Sequence, residues 1–144
     1  IVSDRFFVDL LTTALRPTEI VTQIKIPVAS GSTGSAYAKF ENKASHYAIA
    51  GVAAQVTLGS DGTVSAARVA VTGVSSKSSR AKRTERILIG KEPTASVIRR
   101  ASDRAAADLQ DDLTSDIHAS GEYRSYLAGV MADRAITSAV ERAG

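Results

Sequence analysis

A chain of 144 residues is long enough to bury one hydrophobic core, and 18 Lys and Arg against 15 Asp and Glu leave a formal charge of only +3. With no cysteine, these residues contain no disulfide, no thiolate nucleophile, no iron–sulfur ligand and no Cys-type zinc site. No apolar run approaches the roughly 20 residues of a membrane span, and no signal peptide is visible. The expectation is a cytoplasmic protein that opens on Ile1 as a fragment, a processed chain, or one lacking its leading residues.

In chain order, residues 3–11 read as one or two helical turns with Ser3 or Asp4 as cap, and residues 12–19, with Pro17, as a turn. Residues 20–26 alternate, with Ile20, Thr22, Ile24 and Ile26 opposite Val21, Gln23 and Lys25. This predicts a strand that turns Ile24 and Ile26 toward a core and ends at Pro27. So short a lead-in cannot own a core; it is expected to pack on the body of the chain or on material outside it. Residues 28–35, VASGSTGS, read as a flexible link. Its two glycines lack the GxGxxG or GxxxxGK[ST] context of a phosphate loop.

A strand is predicted at 36–41, then a polar, aromatic and basic segment holding Tyr37, Lys39, Lys43, His46 and Tyr47 runs into a strand at 48–58. There Val52, Ala54, Val56 and Leu58 fall on one side and Gly51, Ala53, Gln55 and Thr57 on the other, the period of a half-buried strand. Two readings of the segment stand: an ordinary polar connection into a sheet, or a rigid place that presents side chains to a ligand. Gly59-Ser60-Asp61-Gly62 supplies turn residues before a strand at 64–73, with Val69 and Val71 on one face and Arg68 and Thr72 on the other. The result is an antiparallel hairpin and a sheet of three strands, one face of which must be covered.

Helices follow. The first is predicted from Ser78 or Ser79 through Leu88, with Gly90 as its C′ residue. The second opens at Pro93-Thr94 and carries Val97, Ala101, Ala105, Leu109 and Leu113 at four-residue intervals. Ser120 caps the third, with Glu122 in its first turn and Tyr123, Leu127, Val130, Met131, Ala135 and Ala139 along its stripe. Strands followed by helices indicate an α+β domain whose helices gather on one side of an antiparallel sheet.

Chemistry is sparse. Residues 77–104 concentrate basic side chains, among them Arg80, Lys82, Arg83 and Arg86, but no aromatics interleave them, so nucleic acid is not an expected partner. No metal site is read: His46 and His118 lie far apart in sequence, and Asp111, Asp112 and Asp116 lack calcium-loop spacing. His118 is expected to be a structural group at the start of the last helix. Ser45 and His46 are adjacent on an extended segment and point apart, so they are not a catalytic pair. No catalytic residue is assigned, and the chain reads as a binding or support module.

The segments FFVDLLTTALRPTEIVTQIKIP, SAYAKFENKASHYAIAGVAAQVTL, GTVSAARVAVTGV, SSRAKRTERILIG and DIHASGEYRSYLAGVMADRAI, in that order, carry a family likeness over nearly the whole chain. It resembles the flavoprotein (medium) subunit of the carbon monoxide dehydrogenase/xanthine dehydrogenase family of molybdenum hydroxylases. The resemblance implies a three-stranded antiparallel sheet packed with a three-helix bundle at 35–144, preceded at 1–34 by the tail of an FAD-binding domain. It implies FAD in the complete subunit and its loss from a fragment that lacks the pyrophosphate loop. It implies partners too: a small subunit with [2Fe–2S] clusters and a large subunit with the molybdenum cofactor, electrons passing through FAD to an external acceptor.

By the same resemblance Tyr37 matches an aromatic position beside the flavin, Lys39 a lysine near its carbonyl edge, and Lys43 the basic side of the same loop. His46 stands where relatives often have aspartate, and Tyr47 and Leu15 are further contact candidates. The isolated chain is expected to be inactive. The competing reading is a non-enzymatic protein-interaction or subunit-assembly module.

Overall fold

Strand alternation at 48–58 becomes an inner strand of the main sheet, and the rest of the domain is arranged around it. The computed structural model describes residues 1–29 and 31–144. β3 (Thr33–Glu41), β4 (Ala48–Leu58), β5 (Val64–Thr72) and β6 (Ser79–Arg80) form one antiparallel sheet in that order. Before it, β1 (Phe7–Asp9) and β2 (Thr12–Thr13) form a separate two-stranded sheet. The helices are α1 (Lys82–Leu88), α2 (Ala95–Ser102) and α3 (Gly121–Ala143). This is the expected α+β class, with a correction: the main sheet has four strands, because Ser79 and Arg80 pair with Val71 and Ala70.

One face of the sheet is the core. Val52, Ala54 and Val56 of β4 and Val64, Val69 and Val71 of β5 are buried together with Leu127, Met131, Ala135, Ile136 and Ala139 of α3. Alanines on α3 allow a close approach. At Gly34 of β3 there is no room for a side chain at all, since a Cβ would overlap Ala139 O and lie 2.6 Å from Ala143 N. Ser120 caps α3 by accepting the Tyr123 N–H at 3.2 Å. Tyr123 itself sits at the edge of the buried stripe, edge-on to Phe40 with ring centroids 6.5 Å apart.

Several boundaries differ from expectation for identifiable reasons. The first helix begins at Lys82, because residues 79–80 are taken by sheet pairing; Gly90 does adopt the left-handed φ of 74° that ends it. The second helix ends at Ser102 and does not reach Leu113. Beyond it the hydrogen bonds shorten to three-residue turns, such as Leu109 N to Ala106 O at 3.0 Å, and Thr114 N donates to Val74 O at 3.0 Å. The chain thus leaves the α-helix through three-residue turns, while Ala105 and Leu109 stay buried.

The lead-in departs most. Only Ser3–Arg5 is helical, a single 3-10 turn, and the chain then forms β1 and β2 around Leu11, whose φ is 51°. The predicted strand at 20–26 is absent: those residues have no regular secondary structure, and Ile24 and Ile26 are 79% and 83% exposed. An alternating segment becomes a strand only beside a partner, and none of the described residues pairs with it. The predicted link at 28–35 includes Ser30, outside the described residues; its last three residues already belong to β3.

Candidate functional site

Helices cover one face of the main sheet, and the other face is where the singled-out side chains emerge. Cross-strand register sets three rows on that open face: Ser35–Gln55–Arg68, Tyr37–Ala53–Ala70 and Lys39–Gly51–Thr72. Tyr37 is 55% exposed there. It borders a groove of about 580 Å³ floored by Ala53 and Ala70, to which Ser3 and Asp4 of the lead-in and Arg68 also contribute.

The ring of Tyr37 leans along the sheet toward Gly51. A Cβ at Gly51 would overlap the Tyr37 hydroxyl and lie 3.1 Å from both Tyr37 Cζ and Thr72 Cγ2. Lys39 is two residues further along β3 and therefore on the same face.

The β3–β4 connection is tied by its own side chains. Asn42 Oδ1 accepts the N–H groups of Ala44 at 2.9 Å and Ser45 at 3.1 Å, and Asn42 N donates to Tyr47 O at 2.9 Å. His46 takes a left-handed φ of 58°, a region in which Asn, Asp and His are enriched among non-glycine residues. Its carbonyl accepts a hydrogen bond from Lys39 Nζ at 2.8 Å, and its Nδ1 lies 3.2 Å from Glu41 Oε1. Glu41 Oε2 in turn stands 3.0 Å from Lys39 Nζ. The hydrogen bond from Lys39, followed by that from His46, holds the Glu41 carboxyl below its ordinary range.

The structure thus brings Tyr37, Lys39 and His46 to one end of the open face. Lys43 and Tyr47 are exposed on the adjoining connection, Tyr47 with its N–H directed at Ser45 Oγ at 3.4 Å. Leu15 is half-buried just after β2 and does not line the groove beneath Tyr37. Glu41 was not singled out by sequence, although its i+2 spacing from Lys39 places both on one strand face.

A second feature missed by the sequence reading lies under the same end of the sheet. Arg124, 5% exposed on α3, donates from Nη1 to Ile49 O at 2.8 Å and to Gly73 O at 2.7 Å, and from Nη2 to Asp116 Oδ2 at 2.7 Å. It anchors the beginning of β4 and the end of β5 to the turn that precedes α3. The signal was present: Arg124 falls on the apolar stripe of Leu127 and Met131, and a charge at a core position needs dedicated partners. His118 donates its backbone N–H to Asp116 Oδ1 at 2.9 Å, while its side chain is exposed. In the basic tract, Arg80 is committed to the buried carboxylate of Glu85, which also accepts Val69 N–H at 2.8 Å.

Residues 35–139 match the family described as CO dehydrogenase flavoprotein C-terminal domain. The chain is 32% identical over 140 residues to the carbon monoxide dehydrogenase medium chain of Hydrogenophaga pseudoflava, covering 97% of this chain and 48% of that protein. It is 31% identical to the 6-hydroxypseudooxynicotine dehydrogenase complex subunit alpha of Paenarthrobacter nicotinovorans, over 90% of this chain and 43% of that one. A solved structure of carbon monoxide dehydrogenase from Hydrogenophaga pseudoflava superposes with a TM-score of 0.88 at 33% identity, covering 96% of this chain and 47% of that one. The chain spans about half the length of the curated relatives it matches.

Proposed function

The chain belongs to the CO dehydrogenase flavoprotein C-terminal domain family, and on that premise we propose that it is the carboxy-terminal part of an FAD-containing medium subunit of a molybdenum hydroxylase. In this reading residues 35–144 form the subunit's C-terminal domain, and residues 1–34 are the tail of its FAD-binding domain. The apolar side chains of Ile20, Ile24, Ile26 and Val28, exposed along an extended backbone, support that assignment of the lead-in. They suit packing against the remainder of such a domain.

The observation that carries the proposal is the placement of Tyr37 and Lys39 side by side on the uncovered face, over small residues. An aromatic ring above Gly51, Ala53 and Ala70 offers a flat apolar surface for a planar heterocycle, and the ammonium of Lys39 offers positive charge at its margin. These residues suit the isoalloxazine end of FAD. When bound, FAD supplies two-electron redox chemistry, here between [2Fe–2S] clusters of a small subunit and an external acceptor. Lys39, held toward the ring's margin by Glu41 and the His46 carbonyl, favours added negative charge there. Tyr37 covers one side of the ring and excludes water from it. Lys43, His46 and Tyr47 border the same edge, and Leu15 is assigned to the approach of the dinucleotide.

Hydroxylation of the substrate belongs, in this proposal, to the large molybdenum-containing subunit. The matched relatives include proteins named for carbon monoxide and for 6-hydroxypseudooxynicotine, so this domain is compatible with more than one substrate. The pyrophosphate cradle is assigned to the part of the relatives' length that these residues do not match.

Flavin retention tests the reading. The 144 residues alone are expected to lose FAD on gel filtration, whereas an assembly that also contains the matching FAD-binding half is expected to retain it. Tight FAD binding by the 144 residues alone would overturn the assignment of the cradle. Failure of the full assembly to bind FAD would overturn the flavoprotein reading itself.

A further inference from the structure

Beside Tyr37 on the open face lies an unusual residue, Gly51, the interior glycine of β4. Glycine weakens a strand relative to alanine, so its presence signals a close approach from elsewhere. At Gly51 the approaching group is a side chain. Register places Gly51 directly opposite Lys39 and diagonal to Tyr37, within reach of an aromatic ring across an antiparallel pair. The Tyr37 phenol fills the space where a Cβ would be, with Cζ at 3.1 Å and the hydroxyl nearer still, and Thr72 Cγ2 closes the other side.

We infer that Gly51 is a positioning residue: its missing side chain forms the depression that holds the Tyr37 ring flat against the open face of the sheet. The ring therefore ends above the position opposite Lys39. One residue's lack of a Cβ thus brings an aromatic face and an ammonium group to a single patch. Any side chain at 51 meets the phenol and displaces it from β4. The functional consequence rests on the reading of Tyr37 as a flavin contact.

The test uses four forms of the assembly containing this chain: unmodified, Gly51→Ala, Tyr37→Phe, and both substitutions together. Tyrosine-selective ring NMR before FAD is added reads the position of Tyr37, and visible circular dichroism of the FAD-loaded assembly reads the flavin contact. Gly51→Ala is expected to displace the Tyr37 ring resonances and shift the flavin dichroism band. Because Tyr37→Phe removes the hydroxyl that meets the new methyl group and leaves only the milder 3.1 Å approach of Cζ, the double variant is expected to shift the band less from Tyr37→Phe than Gly51→Ala shifts it from the unmodified form.

Unchanged Tyr37 resonances in Gly51→Ala would overturn the inference. So would a Gly51→Ala chain that misfolds and is not rescued by Tyr37→Phe, since the hydroxyl overlap would then not be the cause. Displaced resonances with an unmoved flavin band would leave Gly51 as the support of Tyr37 and instead overturn the flavin contact.

Discussion

Arg124 Nη2 lies 2.7 Å from Asp116 Oδ2, and the same guanidinium donates to the carbonyls of Ile49, on β4, and Gly73, just past the end of β5. One buried side chain therefore ties the capping turn of α3 to the end of the sheet from which Lys39 and the loop at 42–47 project. Removing it leaves the Ile49 and Gly73 carbonyls without these donors and a carboxylate without its partner. Arg124→Met is expected to cost about 3 kcal/mol, as for a broken buried pair. Urea unfolding checks this; a midpoint shift worth less than about 1 kcal/mol would mean that the carbonyls find other donors.

Asp116 adds a pH dependence. The backbone N–H of His118, then the Arg124 guanidinium, lower its carboxyl from 3.8 to about 2. A carboxyl depressed by folding binds fewer protons in the native state than in the unfolded state between those two values. Its stabilisation is complete above its unfolded value and is lost as pH falls through the folded value, a window from about pH 4 down to 2. Asp116→Asn is expected to flatten the acid limb of a melting-temperature profile in that window. An unaltered acid limb would show that other carboxylates govern it.

Gly34 makes a backbone-to-backbone contact between β3 and α3. A Cβ there would overlap Ala139 O and lie 2.8 Å from Arg142 C, and neither neighbour is a flexible side-chain end. Gly34→Ala is expected to destabilise the domain by about 2 kcal/mol, within the range for overpacked sites. Gly62→Ala is a control of another kind, because its neighbourhood is open and only its φ of 77° is strained. Equal losses in the two variants would show that steric overlap at Gly34 is relieved at no extra cost.

Glu85 is 7% exposed and accepts both the Val69 N–H and the Arg80 guanidinium. The hydrogen bonds that Arg80 donates to Glu85 are the principal reason that Arg80 is held even more firmly protonated than an ordinary arginine. Glu85→Ala strands a half-buried cation and a strand N–H. A loss of about 3 kcal/mol is expected in chemical denaturation, and a change within about 0.5 kcal/mol would place it with ordinary surface substitutions.

Lys39 carries the electrostatic part of the proposed flavin role. In an FAD-loaded assembly, Lys39→Met is expected to lower the two-electron midpoint potential by roughly 30 mV, equivalent to a tenfold weaker stabilisation of the reduced ring. Spectroelectrochemical titration reads it directly. A potential that stays constant or rises would remove Lys39 from the site.

Much of the main sheet was legible because strand alternation is local information. Val52, Ala54 and Val56 declare a buried face within one segment, and the turn at 59–62 declares the hairpin. The strand that carries Tyr37 and Lys39 was legible too, but the two side chains were singled out as site residues only through the family resemblance. The strand at 20–26 was misread because its alternation is necessary but not sufficient: an isolated strand has nowhere to place its hydrogen bonds. The second helix was read too long because Ala105, Leu109 and Leu113 keep a helical spacing through a stretch whose N–H groups bond three residues back instead of four.

The amino-acid sequence by itself determined the α+β class, the hairpin at the heart of the sheet and the strand that carries Tyr37 and Lys39. Each follows from spacing along one segment. Only the tertiary structure decided that Glu41 and the His46 carbonyl hold Lys39, that Arg124 braces the strands beneath, and that Tyr37 occupies the space Gly51 leaves open. Those relationships depend on cross-strand register and helix docking, which place residues distant in sequence within hydrogen-bonding or van der Waals reach.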